Sequence, residues 1–313
     1  MNKSKLVKRT IWSIVIVFIS MNIVAYIHAY KFTHFVDSSI TKTKNPESLT
    51  TFDKFKTILF GINNPRPKNK KRPIQKFETI ILQSNKKIEC WKINADSAKG
   101  TIIIFHGFSG EKSSMLDKSN EFIKLGYNTV LVDFMGSGGS EGNQCTIGVK
   151  EAEEVKSVFE YLKSSGEKNI YLFGTSMGAV AILKSINDFN ISPKAIIIEC
   201  PFGSMYKTTC ARFKNMNAPV FPMAGLLIFW GGIQNGFWAF THNPTEYAKQ
   251  VNCPTLLLYG EKDITVSKDE TDEIYQNLKG EKTLKKYPLA GHENFLVKYK
   301  AEWIIDVKHF LEN

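Results

Sequence analysis

The sequence predicts an α/β protein: a mostly parallel sheet with helices on both faces and an inserted helical lid, preceded by an N-terminal transmembrane helix. Three observations carry that expectation. From residue 77 onward, short apolar runs alternate with amphipathic stretches, the pattern of strands joined by crossover helices. Residues 10–30, TIWSIVIVFISMNIVAYIHAY, hold no Asp, Glu, Lys or Arg. The formal net charge of +11 is unevenly placed: residues 1–76 carry fifteen Lys/Arg against three acids, and residues 77–313 carry 26 against 27. The body is nearly neutral, which argues against a nucleic-acid partner and leaves the basic excess to be explained at the N-terminus.

The chain divides accordingly into a basic N-terminus with an anchor (1–30), a basic tether (31–76) and a body (77–313). About 20 mostly apolar residues are enough to cross a bilayer as a helix. Ser13, Ser20, Asn22 and His28 are tolerable interruptions of the span. The alternative is a cleaved signal peptide, whose apolar region is usually shorter and ends in a small-residue site; here Ile27-His28-Ala29 has a bulky residue where a small one is favoured. A soluble core helix would normally show a polar face. Lys3, Lys5, Lys8 and Arg9 precede the span and Lys31, Lys42 and Lys44 follow it, a slight bias that places the short N-terminus inside and the body on the extracytoplasmic side. In the tether, NNPRPKNKKRP (63–73) discourages regular structure and serves either as a contact for anionic lipid head groups or as a solvated linker. The five cysteines (Cys90, Cys145, Cys200, Cys210, Cys253) are odd in number and contain no CxxC; nothing requires a disulfide.

The body begins with FETIILQ (77–83) and KIECWKI (87–93), an expected hairpin. GTIIIF (100–105), NTVLVD (128–133), NIYLF (169–173), KAIIIE (194–199) and PTLLLYG (254–260) are short apolar runs of the kind a strand buried on both faces requires, and TLKKYP (283–288) is a weaker one. Helices are expected at 113–125, 148–164, 177–186, 268–278 and 295–311; in the second, Ala152, Val155, Phe159 and Leu162 form one stripe. In such sheets, sites collect at the carboxyl ends of the strands. Those ends carry His106-Gly107, Asp133, Gly174–Gly178, Glu199, Asp263 and the loop with His292.

Of these, Gly174-Thr175-Ser176-Met177-Gly178 is the most specific. It is G-x-S-x-G at a strand-to-helix junction, where Gly174 and Gly178 leave room for a tight turn that presents Ser176. With IIIFHGFSG (102–110), DFMGSGGSEG (133–142), YGEKDITV (259–266) and AGHENF (290–295) following the same order, residues 77–313 resemble the α/β-hydrolase superfamily. Ser137 stands where the commonest form of the second motif has Gly, and Gly139 where it often has His. Within the superfamily the chain is similar to serine-aminopeptidase-like and monoacylglycerol-lipase-like hydrolases, including the membrane-associated Bem46-like group.

The resemblance implies a serine hydrolase with Ser176 as nucleophile, His292 as base, and Asp263 as the acid that holds the imidazole. The N–H groups of Met177 and Phe108 are the expected oxyanion donors. Glu199 is the alternative acid, and capping of the following helix is the alternative role for Asp263. His106 is expected to brace the oxyanion turn, His242 to sit beside a helix start, and His34 and His309 to lie on the surface. Asp133 and its glycines are expected to shape a turn. No metal or other cofactor is implied.

Residues 201–253 interrupt the strand-helix alternation and are read as the lid. Residues 215–245 within them are uncharged and hold Phe221, Phe229, Trp230, Phe237, Trp238 and Phe240. A second span there would place Ser176 and His292 on opposite sides of the bilayer, so an aromatic lid lining an acyl pocket is the better expectation. The expected function is membrane-anchored cleavage of a small-molecule or lipid-like carboxylic ester. An amidase, peptidase or thioesterase of the same fold is the alternative, and a non-catalytic binding protein a further one.

Overall fold

Each apolar run of the body becomes a strand of one sheet. A computed structural model of the protein describes residues 3–43 and 50–312, so Lys44 of the charge-bias reading lies outside the described residues. The chain opens with α1 (Lys3–Thr33) and α2 (Thr51–Phe60). The antiparallel hairpin β1 (Phe77–Gln83) and β2 (Lys87–Ile93) follows, as its alternating pattern predicts. Next come β3 (Thr101–Phe105), α3 (Leu116–Lys124), β4 (Asn128–Val132), α4 (Glu151–Ser164), β5 (Ile170–Thr175), α5 (Met177–Phe189) and β6 (Ala195–Glu199). The lid contributes α6 (Met205–Asn215), α7 (Met223–Asn235) and α8 (Pro244–Tyr247). The chain closes with β7 (Thr255–Gly260), α9 (Lys268–Asn277), β8 (Lys282–Tyr287), α10 (Phe295–Lys298) and α11 (Lys300–Glu312).

The eight strands run in the order β1-β2-β4-β3-β5-β6-β7-β8. From β4 to β8 every pairing is parallel, and β2 joins β4 antiparallel. Successive side chains of a strand face opposite ways. Ile103 and Phe105 therefore join one core with Val155, Val158, Val180 and Ile182 of α4 and α5, while Ile102 and Ile104 join the other with Phe122 and Trp303 of α3 and α11. That two-sided burial is why the central strands lack polar alternation.

Among the described residues, α1 is the one helix long and apolar enough to cross a membrane. Its residues up to Ser20 stand clear of the body. Beyond them, Ala25 and Ala29 are buried, one turn apart on a single face. This small-residue face admits α7 closely. Trp230 Nε1 donates to Asn22 Oδ1 at 3.1 Å, Gln234 Nε2 donates to the Tyr26 carbonyl at 2.9 Å, and Tyr26 meets Trp230 edge-on at 5.3 Å.

Several details depart from the sequence expectations. The tether is partly regular: α2 is capped by Thr50, whose hydroxyl accepts from Asp53 N. The proline-rich stretch after it is laid on the body. Arg66 donates to the carbonyls of Gly138 (3.1 Å), Gly142 (3.2 Å) and Ser140, and Lys70 N donates to Ser113 Oγ at 3.0 Å. Prolines exclude a helix there, but extended backbone leaves its polar groups free to pair with a neighbour. The helix expected from Gly148 begins at Glu151, because the Glu151 carboxylate binds the preceding loop through Thr146 N (2.7 Å) and Gly148 N (2.9 Å). The helix expected over 295–311 is two, broken at Tyr299. His34 is buried, not on the surface: it stacks on Tyr30 at 4.1 Å and its Nε2 meets Gln144 Nε2 at 3.0 Å, because the chain turns onto the body at the end of α1. His309 is exposed.

Candidate active site

The turn from β5 into α5 positions Ser176. Its backbone has φ 51° and ψ −111°, left-handed territory that costs a non-glycine residue about 1–3 kcal/mol. The flanking glycines are required by space. A Cβ on Gly174 would lie 2.6 Å from Ala179 N, and one on Gly178 would lie 2.5 Å from the Phe105 carbonyl oxygen and 2.8 Å from that of His106. These contacts are with backbone and have nowhere to go. Gly178→Ala is therefore expected to destabilise the protein by at least about 1–3 kcal/mol, read as a lower melting temperature of the detergent-solubilised protein; an unchanged melt would contradict this account.

Two further loops converge on Ser176. His292 Nε2 lies 3.0 Å from Ser176 Oγ, and His292 Nδ1 lies 2.7 Å from Asp263 Oδ2. The other oxygen of Asp263 accepts from Thr265 N (2.7 Å) and Val266 N (2.9 Å), which fixes the carboxylate. The helix-capping alternative for Asp263 fails, since α9 is capped by Ser267 in a capping box with Glu270. Glu199 does not reach the imidazole. Buried below the elbow, it accepts from Trp303 Nε1 (2.8 Å) and Thr175 Oγ1 (3.0 Å), and Lys118 Nζ stands 3.5 Å away.

Burial pulls the ionisation of His292 down, but the Cys200 sulfur and the Asp263 carboxylate beside the ring act the other way, and the net direction is above its ordinary 6.5. Burial also raises the Cys200 thiol, so this sulfur is uncharged at neutral pH. Of the two groups that raise His292, Asp263 is the carboxylate, and it both hydrogen-bonds the ring and favours its charged form. His106 is buried and kept neutral by burial. Its Nδ1 meets the Gly107 carbonyl at 2.8 Å and its Nε2 accepts from Phe134 N at 3.1 Å, a pairing that fixes the proton on Nδ1 and braces the turn before Phe108. His242 Nε2 meets the Ile147 carbonyl at 2.9 Å, and burial lowers its pKa to about 4. It joins the lid to the body.

Cys200, Asp263 and His292 offer three donor atoms within 4.8 Å of one another. The Asp263–His292 hydrogen bond already engages two of these side chains with each other.

The architecture agrees with solved structures. The esterase Pf2001 of Pyrococcus furiosus superposes with a TM-score of 0.67 at 24% identity, over 80% of this chain and 97% of that one. The family described as serine aminopeptidase, S33 matches residues 96–227, which include the elbow. The chain has the α/β-hydrolase fold. It is 24% identical over 230 residues to the uncharacterized protein YqkD of Bacillus subtilis (strain 168), covering 72% of this chain and 75% of that protein. It is 27% identical over 189 residues to the lysophosphatidylserine lipase ABHD12 of Mus musculus, covering 58% of this chain and 46% of the lipase. The chain thus matches less than half of that lipase's length.

Ser176 and His292 open onto a cavity of about 40 Å³, also lined by Phe108, Met177, Phe202, Thr208, Arg212 and, from α1, Phe32. Phe32 stacks on Phe108 with centroids 4.6 Å apart. Sequence reasoning missed this use of α1: residues 32 and 108 belong to different segments, and nothing in their local patterns links them. The lid aromatics also differ from expectation. None of those in 221–240 lines this cavity; Phe229 packs against Trp230 and Trp238, and Trp238 against Phe240.

Proposed function

We propose that the chain is a membrane-anchored serine hydrolase that cleaves the carboxylic ester of a lipid-like acyl substrate. The hydrogen-bonded line Ser176–His292–Asp263 at a strained elbow carries this reading. Ser176 Oγ attacks the acyl carbonyl while His292 Nε2 takes its proton. Asp263 orients the ring and stabilises the imidazolium. The N–H groups of Phe108 and Met177 receive the oxyanion, each at a cost of roughly 3–4 kcal/mol in transition-state stabilisation if lost. Collapse expels the alcohol, which takes the proton from His292. Water, activated by the same nitrogen, then attacks the acyl-enzyme and releases the acid. Residues 77–313 are the hydrolase body, and 201–253 its lid.

The lipid-like substrate follows from where the lid sits. As a helix, the uncharged span from Thr10 to Tyr30 is about 32 Å long, close to the thickness of a bilayer core. Because α7 bonds to Asn22 and Tyr26 within that span, the lid shares the depth of the anchor. Beside it, α2 exposes Phe52, Phe55 and Ile58, and the Ile58 carbonyl meets His28 Nε2 at 2.8 Å. The lipase relative supports an acyl ester of this kind. The cavity, about 40 Å³, has room for a few waters but not for an acyl chain, so admission of a substrate requires α6 or the end of α1 to move.

The test is a series of matched esters, thioesters and amides over increasing acyl length with the full chain in detergent. Oxygen esters of long acyl chains should give the highest kcat/KM. A preference for amides or short acetyl esters would overturn the substrate reading. On this proposal the body lies outside the cytoplasm, so protease added to sealed cells should remove the C-terminus; cleavage only after lysis would reverse that orientation.

The proposed role of His292 also fixes a pH profile. The base works neutral, so kcat/KM falls as pH drops through its pKa. With that pKa raised, the acid limb should lie above pH 6.5. Asp263→Asn removes the charge that raises it. The limb should then move down in pH while kcat falls about 10²- to 10⁴-fold. A limb that stays in place in this variant would remove Asp263 from the role.

A further inference from the structure

Arg212, partly buried, lines the cavity of Ser176 and His292, and among the described residues no carboxylate pairs with it. It lies on α6, where Met205, Thr208, Thr209 and Arg212 line the cavity at the spacing of one helix face. Its guanidinium carbon lies 5.0 Å from the centroid of Phe32. Burial alone acts on its ionisation and draws it down; among the described residues no neighbouring charge enters. The buried cations of the body are treated differently. Lys112 pairs with Glu89 and Asp133, and Lys118 with Glu199. A desolvated charge is costly unless it is paired, so Arg212 is the exception that calls for a partner from outside the chain.

A second group on the same face is also unpaired. Thr208 is buried, and its Oγ1 has no hydrogen-bond partner among the described residues. A helical threonine ordinarily turns its hydroxyl to the carbonyl four residues back. Thr209 does so, to Met205 at 2.8 Å. Thr208 keeps its hydroxyl one turn from Arg212, within the same cavity.

We propose that Arg212 and Thr208 form an oxyanion subsite that takes the phosphate or carboxylate of an acyl ester whose carbonyl sits at Ser176. Stacking on Phe32 engages the face of the guanidinium and leaves its N–H fork for two oxygens of the anion, with the threonine hydroxyl available for another. The position agrees with such a ligand. Phe32 lies two residues beyond the uncharged span, at the level of lipid head groups. The same chemistry is offered by a substrate's own head group or by a neighbouring lipid phosphate. The proposal rests on the reading of Ser176 as nucleophile and names the charge of its substrate or of the lipid beside it.

The test compares two esters with the same acyl chain, 1-oleoylglycerol 3-phosphate and 1-oleoylglycerol, with the full chain in neutral detergent. The ratio of their kcat/KM values should favour the phosphate by about 10- to 100-fold, the range of charge-assisted hydrogen bonds. It should fall towards one in Arg212→Ala, recover in part in Arg212→Lys, and fall by about 3- to 10-fold in Thr208→Val. The last two variants carry the test if Arg212→Ala does not fold. A second arm uses phosphatidylcholine vesicles with and without phosphatidylglycerol. If the anion is a neighbouring lipid, the ratio is near one in detergent, but phosphatidylglycerol raises wild-type activity and Arg212→Ala abolishes the rise; that outcome also supports the subsite. A ratio near one with no such rise overturns it. A fluorophosphonate probe separates the two readings: Ser176 labelled with no charge preference overturns the subsite alone, whereas no labelling and no hydrolysis of either ester overturns the hydrolase reading as well.

Discussion

Ser176→Ala is expected to lower kcat for ester hydrolysis by about 10⁵- to 10⁶-fold and to abolish labelling by a fluorophosphonate probe. The magnitude follows from the single-point dependence of the proposed mechanism on one oxygen. Ser176 Oγ lies 3.0 Å from His292 Nε2, and no other side chain given a place in the site offers a hydroxyl on that nitrogen. Removing one atom leaves the elbow backbone as strained as before, since Ala tolerates φ 51° no better than Ser. The melting temperature should therefore stay close to that of the wild type, which separates loss of chemistry from loss of fold. His292→Ala should cost a similar factor, and the double variant little more than either alone, because the two act as one unit. An Ala variant that keeps more than about 1% of the wild-type rate would remove Ser176 from the nucleophile's role.

What the sequence made legible, and what it did not, follows from the range of the interactions. The strands were legible because burial on both faces leaves an unbroken apolar run, as in Ile102–Phe105, all fully buried. The elbow was legible because the steric demand at Gly174 and Gly178 falls within one pentapeptide. Asp263 and His292 are 29 residues apart, yet each lies just beyond a strand, so chain order and fold class pointed to both. Contacts between distant surfaces were not legible. That Arg212 would face Phe32, or that Trp230 would bond Asn22, depends on how α6 and α7 fold back onto α1, and no local pattern records it. Helix ends were blurred for a similar reason: the start of α4 is set by where the Glu151 carboxylate finds backbone donors, and residues 148–150 look no less helical than those that follow. The aromatic lid showed its apolar character in the sequence but not its direction, and much of it turns to α1 instead of to Ser176.

Asp133→Ala is expected to be the most destabilising single substitution among those considered, by about 3–5 kcal/mol. The sequence expectation was a turn shaped by glycines, and the structure gives the reason for them. The buried Asp133 carboxylate accepts from Lys112 N (2.7 Å), Gly139 N (2.8 Å) and Asn69 Nδ2 (2.8 Å), and pairs with Lys112 Nζ. A Cβ on Gly138 would fall 1.8 Å from Asp133 Oδ2, and one on Gly139 2.2 Å from the Glu89 carboxyl carbon, so both positions must be glycine for the acids to fit. Lys112 is fully buried, with Glu89 at 2.7 Å and the Trp91 ring 4.3 Å away. Removing Asp133 leaves Lys112 paired with Glu89 alone and leaves two backbone donors and the Asn69 amide unpaired; Asn69 belongs to the N-terminal stretch, so its hold on the body weakens too. The pH dependence has a definite sign. Burial pushes the Asp133 pKa up, but its neighbours, Lys112 foremost through charge and hydrogen bonds, act the other way, and the net direction is down. A carboxylate depressed in the folded state stabilises above its unfolded pKa, near 4, and that contribution disappears as pH falls through the folded value. The wild-type melting temperature should therefore drop below about pH 4, and Asp133→Ala should flatten this part of the profile while lying below it at pH 7. Equal melting temperatures for Asp133→Ala and wild type at pH 7 would mean that the turn is held by its glycine backbone alone.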